Sequence, residues 1–210
     1  IDIESSGGQI TVTTDAGVYR GKKLVITAGA FTNEVIAPLG IQLNLTIWNM
    51  VSAYFRKTRA DIDYPTWFAF QQPTAANANL YYGFPETSWS HPGYIRVAPD
   101  YPYQITSDPR ERRPPTPQDY AGTCEWVAQH MSGLSPEPEY ASACMVALAD
   151  DGKEFILDTL PGHPNIVLYT AGWAAKLVPL LGKICAQLAI NGATDYDISP
   201  FSIGRPGLVR

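Results

Sequence analysis

The pattern of hydrophobic and polar positions opens with short, strand-like segments. Residues 1–4 and 9–14 alternate in character, and Lys23 to Ala30 form a continuous apolar run that ends in a glycine and an alanine. Alternation is typical of a strand with one solvated face, whereas an unbroken apolar run predicts a buried parallel strand. A short helical stretch follows, with Thr32 as its cap and Gly40 at its end.

From Leu43 onwards the segments become longer, aromatic and alternating, which predicts an antiparallel sheet with proline-rich turns. Its strands are Thr46 to Phe55, Trp67 to Phe70, Asn79 to Phe84 and Tyr94 to Ala98. A helix that begins at Thr116 and Pro117 and ends at Gly133 should cover one side of this sheet. Its apolar face comprises Tyr120, Cys124, Val127 and Met131.

Aromatic residues dominate this sheet, and two interpretations of them stay open. They could line a substrate pocket, although aromatic side chains more often form core. The residues are Trp48, Trp67, Phe68, Tyr81, Tyr82, Phe84 and Trp89.

The last third predicts two antiparallel strands, a glycine turn and a helix. The strands are 154–158 and 165–170, with Pro161, Gly162 and Pro164 marking the turn between them. Ala171 and Gly172 end the second strand. A helix then begins at Pro179 and stops at Asn191 and Gly192, with Leu180, Ile184 and Leu188 on one face and Leu181 and Cys185 beside them. A strand that runs through glycine into a helix often holds a polar ligand, but many such junctions are plain connections.

Composition and charge argue against several classes of protein. The chain has 210 residues, of which 45% are hydrophobic, so it can bury a substantial core. Its net charge of -5 argues against a nucleic-acid surface. It contains no apolar run of roughly 18 residues and no basic-then-apolar leader. We therefore expect no membrane association and an intracellular, cytoplasmic protein. The basic cluster 110–113 is interpreted as a solvated loop.

The cysteine and histidine positions predict neither a disulfide framework nor a metal site. The three cysteines are an odd number without CxxC spacing, and the three histidines are scattered. Cys124 and Cys185 occupy apolar helical positions that favour core packing. Cys144, judged on its own, is most simply a buried strand cysteine.

Several segments, taken in order, resemble a known enzyme family. They are Ala-Cys-Met at 143–145, EFILD at 154–158, HPNIV at 163–167, Ala-Gly at 171–172, KLVPLLGKICAQLA from Lys176, and YDISPFSIGRP from Tyr196. This series is similar to the C-terminal part of the group formed by monomeric sarcosine oxidase, pipecolate oxidase and N-methyltryptophan oxidase, within the D-amino-acid-oxidase-like flavoenzymes.

The resemblance implies a mixed α/β and α+β fold. Residues 1–42 and 146–210 would form the remnant of a Rossmann-like FAD-binding domain, and 43–145 an antiparallel-sheet substrate-binding domain with a helix over it. No GxGxxG occurs in the chain, and that fingerprint brings the backbone close to a dinucleotide pyrophosphate. We therefore expect that the chain is a C-terminal portion and that its partner is the N-terminal FAD-binding half of the family. By itself, this portion should neither bind FAD tightly nor catalyse the reaction.

The resemblance also implies which residues contact the cofactor. Cys144 aligns with the cysteine that is linked to the flavin through sulfur, with Met145 beside it. Lys176 aligns with a lysine at the flavin edge, where a fixed ammonium can stabilise negative charge. The remaining cofactor positions are Gly29, Ala30, Phe31, Gly172 and Trp173.

Three positions are implied in catalysis: Tyr82 in the substrate pocket, Arg96 and Lys176. Arg96 stands where the family usually has a lysine that helps oxygen accept electrons, and arginine is bulkier, planar and different in donor geometry. The shortened segment 172–175 and Val146, in place of a family tyrosine, indicate a rebuilt pocket.

The expected function is FAD-dependent oxidation of the C–N bond of a small secondary amine or amino acid such as sarcosine, pipecolate or an N-methyl amino acid. Molecular oxygen is the expected acceptor. The alternative is a catalytically silent domain that binds a ligand or a partner chain without flavin.

Overall fold

A computed structural model of the chain describes residues 1–72, 80–152 and 155–210. Two compact units are present: the first comprises 1–47, 107–109 and 146–210, and the second comprises 48–106 and 110–145. Antiparallel sheets and three α-helices in the described residues confirm the mixed fold class, whereas the Rossmann remnant stays a prediction. No helix in the described part of the chain has the length and apolar character needed to cross a membrane.

The described residues contain twelve strands. In chain order they are β1 Asp2–Ser6, β2 Gln9–Thr14, β3 Gly17–Gly21, β4 Leu24–Ile26, β5 Leu45–Lys57, β6 Trp67–Phe70, β7 Leu80–Phe84, β8 Tyr94–Pro99, β9 Gln104–Thr106, β10 Leu134–Ala149, β11 Ile156–Leu160 and β12 His163–Thr170. The α-helices are α1 Thr32–Ile36, α2 Ala121–His130 and α3 Val178–Asn191.

The first unit begins with an antiparallel sheet in the order β1-β2-β3. Gly7 and Gly8 join β1 to β2 with φ angles of 58° and 78°, a left-handed geometry that glycine adopts without steric cost. The predicted strands at 1–4 and 9–14 are confirmed. β3 was not predicted, because glycines bound this short and largely exposed segment.

The second sheet of this unit has the order β11-β12-β4, with β12 antiparallel to β11 and parallel to β4. The predicted buried parallel strand is therefore confirmed, although β4 covers only Leu24–Ile26 and Val25 is exposed. The predicted strand from Glu154 is found from Ile156 onwards, and position 154 lies outside the described residues. Pro164 was predicted as a turn residue and instead lies near the start of β12.

α3 packs on this sheet through Leu181, Ile184, Cys185 and Leu188, all of which are buried. These residues have the i, i+3, i+4, i+7 spacing of one helix face. The predicted placement of Leu180 on the buried face is wrong: it lies 39% exposed, because neighbouring helical positions point about 100° apart. The predicted end of the helix is confirmed, since Gly192 caps it with a φ of 73°.

Thr32 does not cap the short helix α1, contrary to the sequence-based prediction. It is the first residue of the helix, fully buried, and makes no capping bond to the helix backbone. Its hydroxyl instead donates to the carbonyl oxygen of Gly29 at 2.7 Å. The predicted end at Gly40 is confirmed, with a φ of 72° after a further 3-10 turn.

The second unit is built on one sheet in the order β10-β5-β8-β7-β6, with β9 also pairing β5. The four predicted strands are confirmed to within a few residues; position 79, where one was predicted to begin, lies outside the described residues. One face of this sheet packs against α2 through a cluster that includes Phe55, Tyr81, Ile95, Val97 and Val127. α2 therefore covers one side of the sheet, as predicted.

The predicted start of the α2 segment is confirmed by a capping box. The Thr116 hydroxyl donates to the Asp119 carboxylate at 2.8 Å, and the Thr116 backbone N–H donates to it at 2.7 Å. The first turn, Pro117–Tyr120, is a 3-10 helix, and α2 ends at His130, three residues before Gly133. All four residues of the segment 110–113 are exposed, as predicted, and Arg113 additionally makes an ion pair with Asp119 at 2.6 Å.

Candidate functional site

The carboxyl ends of β4 and β12 form the candidate cofactor edge of the first unit. Because the two strands are parallel, with Ile26 opposite Leu168, the segments that follow them leave the same edge of the sheet. Ligands in open α/β sheets bind outside this edge. Both predicted cofactor segments, 29–31 and 172–173, lie within three residues of the ends of these strands.

Buried threonine hydroxyls join the two segments. Thr32 Oγ1 lies 2.8 Å from Thr170 Oγ1, and the Thr170 hydroxyl also reaches the carbonyl oxygen of Gly29 at 3.2 Å. Three polar groups are thus satisfied within the interior, which fixes the backbone of Gly29 against the end of β12.

The backbone after β12 is held in a left-handed conformation. Ala171 has a φ of 66°, the one positive value for a non-glycine residue in the described part of the chain, and Gly172 follows with 78°. A left-handed alanine costs about 1–2 kcal/mol and persists where the surrounding structure imposes it. Here the Gly172 N–H donates to the Ala147 carbonyl at 2.8 Å, and the Tyr169 hydroxyl donates to the Ala171 carbonyl at 3.2 Å.

The side chains at this edge are aromatic and cationic. Phe31 and Trp173 are 39% and 37% exposed, and Ala30 is half-buried. Lys176 is exposed within a 3-10 turn before α3 and pairs with no acid in the ranges that the structure describes. Left-handed backbone, exposed rings and an ammonium at the carboxyl edge fit a planar, polar cofactor.

In the second unit, the face of the sheet opposite α2 carries the other predicted site residues. Tyr82 pairs with Phe68 of β6, and Arg96 of β8 lies opposite both Phe84 of β7 and Tyr54 of β5. Side chains alternate along a strand, so these residues point away from the core that contains Tyr81 and Ile95. We call this surface the Arg96 face.

The core interpretation of the aromatic residues is confirmed for some members, and the substrate-pocket interpretation stays a prediction for the others. Tyr81 is buried and stacks with Trp126 at 4.7 Å between ring centroids, while Trp67 stacks with the same ring at 5.4 Å. Tyr82, in contrast, contacts Phe68 and Phe84 on the Arg96 face, with centroids 6.3 and 6.0 Å away. Trp48 is half-buried, whereas Trp89 is 85% exposed and is therefore not a core residue.

Arg96 is a half-buried cation whose donors are incompletely used. Its Nε is buried and has no hydrogen-bond partner, and its guanidinium carbon lies 5.2 Å from the centre of the Phe84 ring. Burial raises the pKa of the Tyr82 phenol, while the charge of Arg96 lowers it. Tyr82 therefore keeps its proton near neutral pH, and its hydroxyl can donate a hydrogen bond.

Cys144 lies on β10 and is exposed, so its interpretation as a buried strand cysteine is wrong. Enough protein surrounds the sulfur that burial raises the pKa of the thiol, whereas the charges of Arg96 and Arg112 lower it. Tyr82, Arg96 and Cys144 thus act on one another electrostatically. Cys185 is buried and Cys124 is half-buried against the core, as predicted.

An aromatic cluster on the Arg96 face was missed by sequence reasoning. Tyr54 stacks on Tyr140 and tilts against His91, with centroids 4.5 Å apart in each pair. Ser142, two residues before Cys144, donates to the Tyr54 hydroxyl at 3.5 Å. The alternation of Tyr140, Ser142 and Cys144 was the available signal, but β10 had not been recognised as a strand.

A cavity of about 520 Å³ in the first unit contains none of the predicted site residues. Its wall includes Asp158, whose carboxylate accepts hydrogen bonds from Ser202 at 2.8 Å and from the Ile203 N–H at 3.0 Å. Asp158 therefore anchors the C-terminal segment. The described residues contain no group of three or more histidine, cysteine or acidic side chains that could hold a metal ion.

The chain is similar to proteins of known function. A family model described as FAD dependent oxidoreductase (DAO) matches residues 1–188. Peroxisomal sarcosine oxidase of Homo sapiens is 33% identical over 93% of this chain and 51% of its own length. Monomeric sarcosine oxidase of a Bacillus species is 28% identical over 99% of this chain and 53% of its own length.

A solved structure of NikD, described as an unusual amino acid oxidase essential for nikkomycin biosynthesis, superimposes with a TM-score of 0.84 at 35% identity. The match covers 96% of this chain and 53% of NikD. Glycine oxidase from Geobacillus kaustophilus, at 20% identity and a TM-score of 0.71, shares the fold. The chain spans about half the length of the two sarcosine oxidases it matches.

Proposed function

Because the chain belongs to the family of FAD-dependent oxidoreductases, we propose that the protein is an oxidase that acts on the C–N bond of a small secondary amine or amino acid. The observation that carries this proposal is the Arg96 face, to which three different strands of one sheet contribute Tyr82, Arg96 and Cys144. Sarcosine, pipecolate and other N-methyl amino acids are the candidate substrates.

The residues present fit an FAD group, which when bound accepts the hydride equivalent and passes the electrons to oxygen. In the first unit, Gly29, Ala30, Phe31, Gly172 and Trp173 would contact it along the carboxyl edge of the sheet. Lys176 would place a fixed positive charge there. In the second unit, Cys144 would supply the sulfur for a covalent link, with Met145 beside it. Its side chain is exposed; burial raises the pKa of the thiol, and the charges of Arg96 and Arg112 act in the opposite direction.

The side chains of the Arg96 face would orient the substrate. Tyr82 stays protonated and offers a hydroxyl donor, and Phe68 and Phe84 provide apolar rings beside it. Arg96 contributes the positive charge of this surface. Loss of a hydride equivalent from the carbon next to nitrogen, together with loss of the N–H proton, leaves an imine, which water hydrolyses to a carbonyl group and an amine.

The full reading frame, expressed and purified, tests this function. We expect a yellow protein that consumes oxygen with one of the candidate substrates and that keeps its colour after acid precipitation. Cys144→Ser should lose the acid-stable colour, whereas the matched variant Cys124→Ser, at a half-buried thiol in the core of the second unit, should keep it.

A colourless full-length protein without oxygen uptake would contradict the proposal and favour a ligand-binding domain that does not use flavin. For residues 1–210 alone we expect neither stoichiometric FAD nor turnover, because the chain has no GxGxxG to hold the pyrophosphate. Stoichiometric flavin in that purified chain would overturn this part of the proposal.

A further inference from the structure

Two buried threonines meet where the two candidate cofactor segments leave the sheet of the first unit. Thr32 directly follows the segment 29–31, and Thr170 is the last residue of β12 and precedes Ala171. The Thr32 hydroxyl lies 2.7 Å from the Gly29 carbonyl oxygen and 2.8 Å from Thr170 Oγ1. Thr170 Oγ1 lies 3.2 Å from the same carbonyl oxygen. One hydroxyl proton can therefore serve the carbonyl while the other lies between the two hydroxyl oxygens.

These hydroxyls are needed neither to satisfy the Gly29 carbonyl nor to fill space. The carbonyl already accepts the backbone N–H of Thr32. The core of this unit is apolar and includes Ile36, four residues after Thr32, and Leu168, two residues before Thr170. Two valines, which have the shape of threonine, would pack there and leave no polar side chain unpaired. What the hydroxyls add is a fixed direction of the carbonyl bond.

The direction of the Gly29 carbonyl determines where the next N–H points. A trans peptide is planar, with its C=O and N–H on opposite sides, and the described residues contain no cis peptide bond. Because the carbonyl faces two buried hydroxyls, the Ala30 N–H is directed away from the interior. It donates to none of the backbone carbonyls of the described residues outside its own 3-10 turn. Hydrogen bonds at the carbonyl also polarise the peptide, which makes this N–H a stronger donor.

The backbone conformation of the segment brings several N–H groups to one side. Ala28 is right-handed, with φ and ψ of -78° and 0°, and Gly29 is left-handed, with a φ of 56°. Successive residues of opposite hand turn their N–H groups toward a shared concavity that suits an electronegative atom. FAD carries such atoms on its pyrophosphate, its ribityl chain and its ring carbonyls. The position of the Gly29–Ala30 peptide therefore bears directly on how the segment can bind the cofactor.

We propose that Thr32 and Thr170 are positioning residues for the cofactor, whose hydroxyls hold the Gly29–Ala30 peptide so that its N–H donates to an oxygen of FAD. This inference rests on the proposed function and adds to it two residues that are buried and act through the peptide. Because the pair joins the segments that follow β4 and β12, one contact orients both sides of the candidate cofactor edge.

FAD affinity tests the inference on the full-length protein. Titration of FAD with apoprotein, followed by flavin fluorescence, is made in the Cys144→Ser background, in which no covalent link at that position contributes to retention. Thr32→Val and Thr170→Val should each weaken FAD binding about 5- to 30-fold, as loss of one well-placed hydrogen bond does. Thr32→Ser keeps the hydroxyl and should bind FAD within about twofold of the background protein.

Two further variants separate positioning from stability. The double valine variant leaves no hydroxyl unpaired, so it should be more stable than the two single losses predict, yet it should bind FAD no more tightly than the single variants. Ile10→Val shortens a buried side chain of β2 in the same unit and should lower the unfolding midpoint comparably. It should nevertheless leave FAD affinity within about twofold of the background.

Isotope labelling measures the peptide itself, with or without FAD. With [1-13C]glycine and [15N]alanine, the coupling between carbonyl carbon and nitrogen selects Gly-Ala peptides, of which this chain contains two, 29–30 and 192–193. Ala30→Ser assigns the first resonance by its loss. The Ala30 resonance should shift in both valine variants, because the polarisation of its peptide changes. The Ala193 resonance is the internal control and should not move.

Unchanged FAD affinity in both valine variants, an equal loss of affinity in Ile10→Val, or an Ala30 resonance that does not move would overturn the inference. A full-length protein that takes up no FAD before any substitution would overturn the proposed function instead, and with it the contact to FAD. In that case the Ala30 resonance still decides whether the two hydroxyls hold the peptide.

Discussion

The hydroxyl oxygens of Thr32 and Thr170 lie 2.8 Å apart in the interior of the first unit, although 138 positions separate the two residues. Both side chains are almost fully buried, and both reach the carbonyl oxygen of Gly29. This contact joins the two segments that leave the carboxyl edge of the β4–β12 pair. It therefore links the stability of the first unit to the geometry of the candidate cofactor edge.

Replacement of either threonine by valine should destabilise the first unit by about 1–2 kcal/mol, because each change leaves a buried oxygen without its partner. The double variant should lose less than the sum of the two single losses, since it removes both hydroxyls together. Urea unfolding of the three variants measures this coupling. Thr13→Val, at an exposed position of β2, should change the unfolding free energy by less than about 0.5 kcal/mol. Additive losses for Thr32 and Thr170 would show that the contact does not couple them.

Gly83 is the site of a close approach between two strands. A Cβ atom at this position would lie 2.5 Å from atoms of the Trp67 indole, which stacks against Trp126 of α2. Gly83→Ala should therefore force the ring to move and destabilise the second unit by about 1–3 kcal/mol. Near-ultraviolet circular dichroism should report the displaced tryptophans, and urea unfolding the lost stability.

Gly182→Ala is the matched control, and its effect should have the opposite sign. Gly182 lies within α3, and a Cβ atom there would meet nothing within 4 Å. Alanine is favoured over glycine in a helix by about 0.5–1 kcal/mol, so this variant should be stabilised. Equal effects of the two substitutions would contradict the steric account of Gly83.

Asp119 should contribute stability that depends on pH. The Arg113 guanidinium and the Thr116 donors hold the pKa of this carboxyl group below its ordinary value of 3.8. Because the pKa is lower in the folded state than in the unfolded state, the carboxylate stabilises the fold fully at pH values above its pKa in the unfolded chain. This stabilisation is lost as the pH falls from that value through the pKa of the folded state. Asp119→Asn should therefore cost about 1 kcal/mol at pH 7, and the difference from the wild type should shrink below about pH 4.

Urea unfolding of Asp119→Asn and of the wild type, repeated from pH 7 to about pH 3, measures this dependence. Asp61→Asn gives the comparison for an exposed pair with Arg59, and its effect should be smaller because water and salt screen that interaction. A difference for Asp119→Asn that stays constant across the pH range would show that the carboxylate charge is not responsible.

Cys144 should be the first cysteine to react with iodoacetamide, because it is exposed while Cys185 is buried. Arg96 lowers the pKa of the Cys144 thiol, so Arg96→Gln should raise that pKa and reduce the thiolate fraction. We expect alkylation of Cys144 near pH 9 to slow roughly two- to fourfold in this variant, measured by mass spectrometry. Arg59→Gln should react at the wild-type rate, and an unchanged rate in Arg96→Gln would exclude this electrostatic link.

Local patterns predicted most of the regular elements. β2 and β6 have the predicted bounds, and the end of α3 follows from a glycine that adopts a left-handed conformation. These signals depend on neighbouring residues alone. The helix face was misassigned at Leu180 because a stripe of several leucines fits more than one orientation, and only the packing of α3 on β12 selects Leu181.

β10 shows why other parts could not be predicted. Its 16 residues include Pro136 and Pro138, which interrupt the hydrogen-bonding pattern of a strand and weaken the strand signal. Tyr82, Arg96 and Cys144 were named one by one from a resemblance. That they share a face depends on the pairing of β7, β8, β5 and β10, which is a long-range property of the sheet.

The parallel pairing of β4 with β12 imposes an order on folding during synthesis. Leu24 and its partner Ile166 are about 140 residues apart, a stretch that takes a ribosome roughly 7–30 s to translate. The second unit lies wholly within the intervening stretch. Its local hairpins can therefore form before β12 has been synthesised and can pair with β4. Apolar β4 is therefore without the strand that pairs with it among the described residues until β12 has been synthesised.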